Sequence, residues 1–194
     1  MTSTSHEDGG GALPRGFVVL SGLPGCGKSR LGAALAPLLD LPLLDKDDFL
    51  ETLYERDGIG DATWRERLSR ASDVLFRGAA IRAEGAVLAS FWRRPGRTEG
   101  GGTPSDWLAT LAGPLVEIHR HCPSKLALQR FRRRIRHPGH LDQERRPEDL
   151  YQKFEIYAAQ GPLGLGTVIQ EDTTVLPDVR ALAARIQRVR CGHA

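Results

Sequence analysis

Residues 22–29 read Gly-Leu-Pro-Gly-Cys-Gly-Lys-Ser, and the spacing Gly22-x-x-x-x-Gly27-Lys28-Ser29 is that of a loop that cradles phosphate. Glycines allow backbone angles closed to other residues, so successive N–H groups can turn inward on one anion. A helix opening at Lys28 adds its positive end to the same anion. Lys28 can reach the β- and γ-phosphates of a nucleotide, and the Ser29 hydroxyl can ligate Mg²⁺. The stretch expected to hold ATP is Gly22, Leu23, Pro24, Gly25, Cys26, Gly27, Lys28, Ser29 and Arg30. Cys26 needs only its backbone there. A strand–turn–helix connection without a ligand is the bland alternative, and the motif in its full context argues against it.

The next residues able to do chemistry are Asp45 and Asp47. A hydroxyl attacking a γ-phosphoryl group needs an oxygen to orient it and take its proton. Asp47 is the first candidate for that base. Asp45 is the second, acting through Mg²⁺-bound water, and it is the candidate metal ligand beside Ser29. Helix capping is the structural alternative for Asp47 and Asp48, and the two roles are compatible.

A basic stretch follows. From Arg120 to Arg146 there are nine Lys or Arg against two acids, Asp142 and Glu144. Arg130 and Arg134 lie one helical turn apart and share a face. That face, ending at His137-Pro138-Gly139-His140, reads as a helical lid over about 130–147 whose arginines neutralise charge in the transition state. A solvated basic surface or a nucleic-acid surface is the alternative. His137 and His140, with Asp142 nearby, are read as loop histidines rather than a metal site, because no fourth ligand is evident.

These residues need a scaffold that brings them together. Phe17–Leu20, Leu43–Asp45, Gly85–Phe91, Pro114–His119 and Thr167–Gln170 are short apolar runs that read as strands. Helical periodicity falls between them, at about 28–39, 49–56, 61–83, 105–112, 124–136, 147–159 and 177–190. In the 61–83 helix the apolar face is assigned to Leu68, Ala71, Leu75 and Ala79, and Ser124 is read as the N-cap of the fifth helix. Alternation of this kind predicts an α/β three-layer sandwich: a five-stranded, mostly parallel sheet with helices on both faces. In such sheets ligands bind beyond the carboxyl ends of the strands. The phosphate loop, Asp45–Asp48, Ser90–Arg94 and His119–His121 all follow strand ends, so they should share one rim. Trp92, Arg93 and Arg94 are candidates to touch an acceptor there. No strand ends in the acidic residue that many phosphate-loop proteins carry; Ala89-Ser90 stands in that place.

Composition sets the limits. The chain has 194 residues, 40% of them hydrophobic, and a net charge of +3, enough for one domain and too balanced to require nucleic acid. Its three cysteines, Cys26, Cys122 and Cys191, are too widely spaced for a disulfide framework or a zinc site. No apolar run or leader pattern suggests a membrane or export, so a cytoplasmic protein is expected. Residues 1–15 read as a disordered tail ahead of a domain spanning 16–194.

Together the phosphate loop, the segment Leu44-Asp45-Lys46-Asp47-Asp48-Phe49, the strand at 86–90 and the arginines of 130–136 resemble the predicted AAA-type P-loop kinases. That group includes polynucleotide 5′-kinase, zeta toxin and chloramphenicol phosphotransferase. The resemblance implies Asp47 as general base and Arg130 or Arg134 as the lid arginine. It also implies that adenine is held near Gln170–Thr174, with Asp172 among its contacts. Polynucleotide kinases place a phosphate-holding arginine where Leu50 stands here, which weighs against a nucleic-acid substrate. The expected function is an ATP- and Mg²⁺-dependent kinase acting on a hydroxyl of a small molecule. A polynucleotide or nucleoside 5′-hydroxyl kinase and an ATP-hydrolysing switch are the alternatives. Guanine specificity is not expected, because no Asn/Thr-Lys-x-Asp motif occurs.

Overall fold

A computed structural model describes residues 15–98 and 100–192 of the chain. The tail expected at 1–15 lies outside the described residues except for Arg15. Five strands form one sheet: β1 (Phe17–Gly22), β2 (Leu43–Asp45), β3 (Ala86–Ala89), β4 (Leu115–His121) and β5 (Thr167–Asp172). Their order is β2-β3-β1-β4-β5 and every pairing is parallel. The phosphate-loop strand is thus central, which explains why Phe17 through Ser21 are all buried. Strands covered on both faces need apolar residues at every position rather than at alternate ones.

The described residues form six α-helices: α1 (Lys28–Leu39), α2 (Lys46–Asp57), α3 (Ala62–Arg82), α4 (Ser124–Arg133), α5 (Pro147–Ala159) and α6 (Val179–Arg190). On one face Val18, Leu20, Val87 and Ile118 pack against Leu31 and Leu35 of α1 and Leu182 and Ile186 of α6. On the other, Phe17, Val19 and Leu88 meet Phe76 and Ala80 of α3 together with Trp92 and Trp107. A third cluster joins Cys26 of the phosphate loop to Phe131 of α4 and Phe154 of α5. The three layers expected from the alternation are therefore present.

Several boundaries differ from the sequence reading. The helix expected from 49 begins at Lys46, because Asp45 caps it by accepting the Asp47 N–H at 3.0 Å. The helix expected to reach Arg136 ends at Arg133, and Ser124 is its first residue rather than its cap, with Pro123 at the cap position. Residues 106–110 form a 3₁₀ turn. In α3 the buried residues are Leu68, Ser72, Phe76 and Ala80, whereas Leu75 is exposed. Phe76 sets that face, since an aromatic ring in the core outweighs an alternative stripe built on alanine.

Candidate active site

The phosphate loop turns out of β1 with positive φ at Gly22, Gly25 and Gly27. At Gly25 a Cβ would lie 2.4 Å from the Ala127 carbonyl oxygen, so no side chain fits. Gly27 is the N-cap of α1 and offers no side-chain cap, leaving the first helical N–H groups open to an anion. Lys28 Nζ folds back onto the loop, donating to the carbonyls of Gly22 (2.9 Å) and Leu23 (2.8 Å). Behind the loop, the buried Arg120 donates to the Cys26 carbonyl at 3.3 Å.

A cleft of about 1520 Å³ opens in front of this loop. Pro24, Gly25, Gly27, Lys28, Ser29 and Arg30 line it, as do Asp45 and Asp47. Gly22 and Leu23 face a small cavity of about 40 Å³ on the other side of the loop. Asp45 is 6% exposed and lies beside the Ser29 side chain, close enough for the hydroxyl to lower its pKa. Burial raises its pKa above the usual aspartate value, an effect the Ser29 hydroxyl and the Asp47 hydrogen bond only partly offset. A carboxylate and a hydroxyl meeting beside the phosphate loop are the hard oxygen donors that Mg²⁺ prefers. The two residues expected to hold the metal therefore stand side by side in the cleft, and their donor types fit it.

Asp47 sits two residues further on, in the first turn of α2, and keeps 40% of its side-chain surface open. Burial would raise its pKa, but the charges of Arg136, Arg134 and Lys46 outweigh this and hold the carboxyl below the ordinary value. Its direct partner is Arg136, which also donates to Asp142 at 3.2 Å. Arg136 was counted in the basic run but not singled out as a site residue. The helix end at Arg133 is the reason it matters: beyond it the chain is extended, so Arg134 and Arg136 point to the same side while Ile135 is fully exposed.

The two lid candidates have different surroundings. Arg134 lies 3.7 Å from Asp142 and 4.4 Å above the Phe131 ring. Burial and the nearby Arg136 charge lower its pKa to about 10. Arg130 also lines the cleft but donates to the Thr173 carbonyl at 3.0 Å, in the loop that follows β5. Asp172 does not line the cleft; its carboxylate accepts from the Thr174 N–H and hydroxyl, both at 2.8 Å. Of the acceptor candidates Trp92, Arg93 and Arg94, Arg93 lines the cleft. Trp92 is a core residue whose indole donates to the Leu20 carbonyl at 2.9 Å, and Arg94 binds the Gln160 carbonyl.

His137 and His140 act as structural residues of the connection between α4 and α5. His137 stacks on Tyr54 at 5.2 Å, and Tyr54 stacks in turn on Trp64 at 5.3 Å. His140 is buried; desolvation and the adjacent Arg136 lower its pKa to about 3, so it is neutral. Its Nε2 lies 2.8 Å from Glu51 and, in the neutral ring, must carry the proton it donates there. Among the described residues no group of three or more His, Cys, Asp or Glu is arranged to hold a metal ion by itself. No helix among them is long and apolar enough to cross a membrane.

The parallel sheet with its central phosphate-loop strand and rim site is the fold of the P-loop kinases. No family model matches the chain. A shikimate kinase of Ruegeria pomeroyi is 39% identical over 103 residues, 47% of this chain and 52% of that protein. A shikimate kinase of Cereibacter sphaeroides is 33% identical over 130 residues, 60% of this chain and 63% of that protein. The chain thus spans little more than half the length of the curated relatives it matches. Among solved structures, a presumed kinase from Chloroflexus aurantiacus superposes with a TM-score of 0.72 at 25% identity. That match covers 90% of this chain and 98% of the other.

Proposed function

We propose that the chain is an ATP-dependent kinase that transfers the γ-phosphoryl group to a hydroxyl of a small molecule. One observation carries this reading: Ser29 and Asp45 meet beside the phosphate loop while Asp47 opens onto the same cleft. The loop amides and Lys28 hold the β- and γ-phosphates. Ser29 and Asp45 hold Mg²⁺, which when bound neutralises charge on the phosphates. Asp47 orients the acceptor hydroxyl and takes its proton as the bond from acceptor oxygen to γ-phosphorus forms. The bond from the β,γ-bridging oxygen to that phosphorus breaks, and ADP leaves. Arg134 and Arg136 stabilise the charge on the transferring group, Arg130 steadies the nucleotide side, and residues around 130–147 act as the lid.

The relatives support a small-molecule acceptor, since both are described as shikimate kinases. The Asp45–Phe49 segment and the basic stretch support placement near the AAA-type branch of P-loop kinases. A polynucleotide acceptor is not favoured. Leu50, where those enzymes have a phosphate-binding arginine, is 1% exposed and packs with Leu53, Tyr54 and Leu68. Dependence on the cellular ATP pool fits action in the cytoplasm. The test is ADP formation from ATP with and without candidate acceptors, in the wild type and in Lys28→Ala. Acceptor-dependent turnover that disappears in Lys28→Ala supports the proposal; acceptor-independent hydrolysis would favour an ATPase switch.

A further inference from the structure

The cleft has polar groups on its α3 side that the transfer step leaves unused. Lys46 stands between Asp45 and Asp47 in sequence, yet its side chain turns toward α3. Its ammonium donates to Ser69 Oγ at 2.8 Å and lies 3.5 Å from Asp73 Oδ1. Ser69 and Asp73 are one turn apart and share a face of α3. Asp73 Oδ1 accepts the Thr103 hydroxyl proton at 2.9 Å. Thr103 Oγ1 is also 2.7 Å from Ser90 Oγ. A hydroxyl has one proton to give, and that of Thr103 goes to Asp73. Ser90 must then donate to Thr103, which leaves the Ser90 oxygen able only to accept.

The chain Ser90 to Thr103 to Asp73 therefore has a fixed direction, and Lys46 closes its far end. All five side chains belong to residues that line the cleft shared by Lys28, Asp45 and Asp47. Lys46, Ser90 and Thr103 are 8%, 7% and 2% exposed, so little water reaches them. Among the described residues three functions are left without a further partner and so remain open to a ligand: a donor on Lys46, an acceptor at Asp73 Oδ2 and an acceptor at Ser90 Oγ. Polar groups this deep are costly if a ligand displaces water without replacing its hydrogen bonds. A hydroxyl both donates and accepts, so neighbouring hydroxyls match this pattern where an apolar ring or a single hydroxyl does not.

We propose that Lys46, Asp73 and Ser90 form a hydroxyl-reading subsite, so that the acceptor is a polyhydroxylated small molecule whose unreacted hydroxyls dock there. The inference rests on the kinase reading above. Thr103 and Ser69 are positioning residues that hold Asp73 and Lys46 in place.

The test uses the full chain with Mg²⁺ and γ-labelled ATP. The acceptors are shikimate, gluconate, myo-inositol and ribose, each beside an analogue lacking one hydroxyl next to the phosphorylated one. The expected result is transfer to at least one polyol, with kcat/KM lower by about 10–100-fold for its deoxy analogue. Asp73→Asn and Lys46→Met should lower kcat/KM for the polyol by a similar factor, Asp73→Asn mainly through KM, and leave the KM for ATP unchanged. Asp73→Asn keeps the shape and the Thr103 hydrogen bond, and thermal melting of both variants checks that they fold. Transfer to a polyol that neither substitution weakens would overturn the subsite and leave the kinase reading intact. So would transfer to the deoxy analogue as fast as to its parent polyol. Absence of transfer to any acceptor would overturn both.

Discussion

The Asp45 carboxylate accepts the backbone N–H of Asp47 at 3.0 Å, and this hydrogen bond starts α2. One contact thus fixes the candidate metal ligand and the candidate base relative to each other. Asp45 is turned to Ser29, whereas Asp47 is turned to Arg136. Two carboxylates of the same type are in this way assigned to different tasks by their surroundings.

Replacing Lys28 by Ala should raise the Kd for MgATP by about 10–100-fold, the value of a lost charge-assisted contact to phosphate. Among the described residues Lys28 bonds only to two carbonyls of its own loop, apart from a long approach to the Cys26 sulfur. The melting temperature without nucleotide should therefore change little. Calorimetric titration together with thermal melting checks both parts.

Asp45→Asn separates metal binding from folding. Asn caps a helix as well as Asp does, so the start of α2 survives. The raised pKa means that the ionised carboxylate is disfavoured in the folded state relative to the unfolded chain. That penalty is present at neutral pH and disappears as pH falls below the unfolded aspartate value. The variant should therefore melt higher than the wild type at pH 7, with the difference closing at acid pH. Its nucleotide binding should lose its dependence on Mg²⁺. In the wild type that dependence should fade on acidification at a higher pH than an ordinary aspartate would give.

Arg136→Ala should reduce phosphoryl transfer by about 10²–10³-fold, as for loss of a preorganised charge at a transition state. It also removes the direct partner that holds the Asp47 carboxyl in its ionised form. The acidic limb of the rate profile should then move to higher pH. For Asp47 itself the stabilising contribution is present above the unfolded aspartate value and is lost as pH falls through its depressed folded value. The Arg136→Ala variant should lose that contribution at neutral pH, with the difference from the wild type closing as the pH falls into the acid range.

Gly25→Ala tests the shape of the loop. The new methyl would meet the Ala127 carbonyl at 2.4 Å, at a φ of +84°. A loss of about 1–3 kcal/mol in stability is expected from the strained backbone alone. MgATP binding should fall with it, because α4 and the loop can no longer pack together. Denaturant unfolding and nucleotide titration measure the two effects.

The phosphate loop and the alternation of strands and helices were legible in the sequence because both are local signals. Gly22 to Ser29 form one contiguous motif, and Phe17–Leu20 form one apolar run. Asp45 and Asp47 were legible because a strand end and a helix start leave short-range marks. Contacts set by the tertiary fold were less visible. Arg136 pairs with Asp47 across 89 residues, and nothing in the basic run distinguishes it from its neighbours until the helix is seen to stop at Arg133. Asp73 and Ser69 carry a faint signal, a polar pair one turn apart on a helix, but only packing shows that they reach Lys46. The α3 face was misassigned because Ala71, Leu75 and Ala79 have the same helical spacing as Ser72, Phe76 and Ala80. Asp172 was drawn from the resemblance, and its carboxylate closes its own turn on Thr174.

The most direct measurement is MgATP affinity and γ-phosphoryl transfer on the same sample of Asp47→Asn, with an acceptor that the wild type uses. The account predicts that affinity stays within about twofold while transfer falls by at least about 10²-fold, the share that a positioned base contributes. Transfer at the wild-type rate in that variant would contradict it.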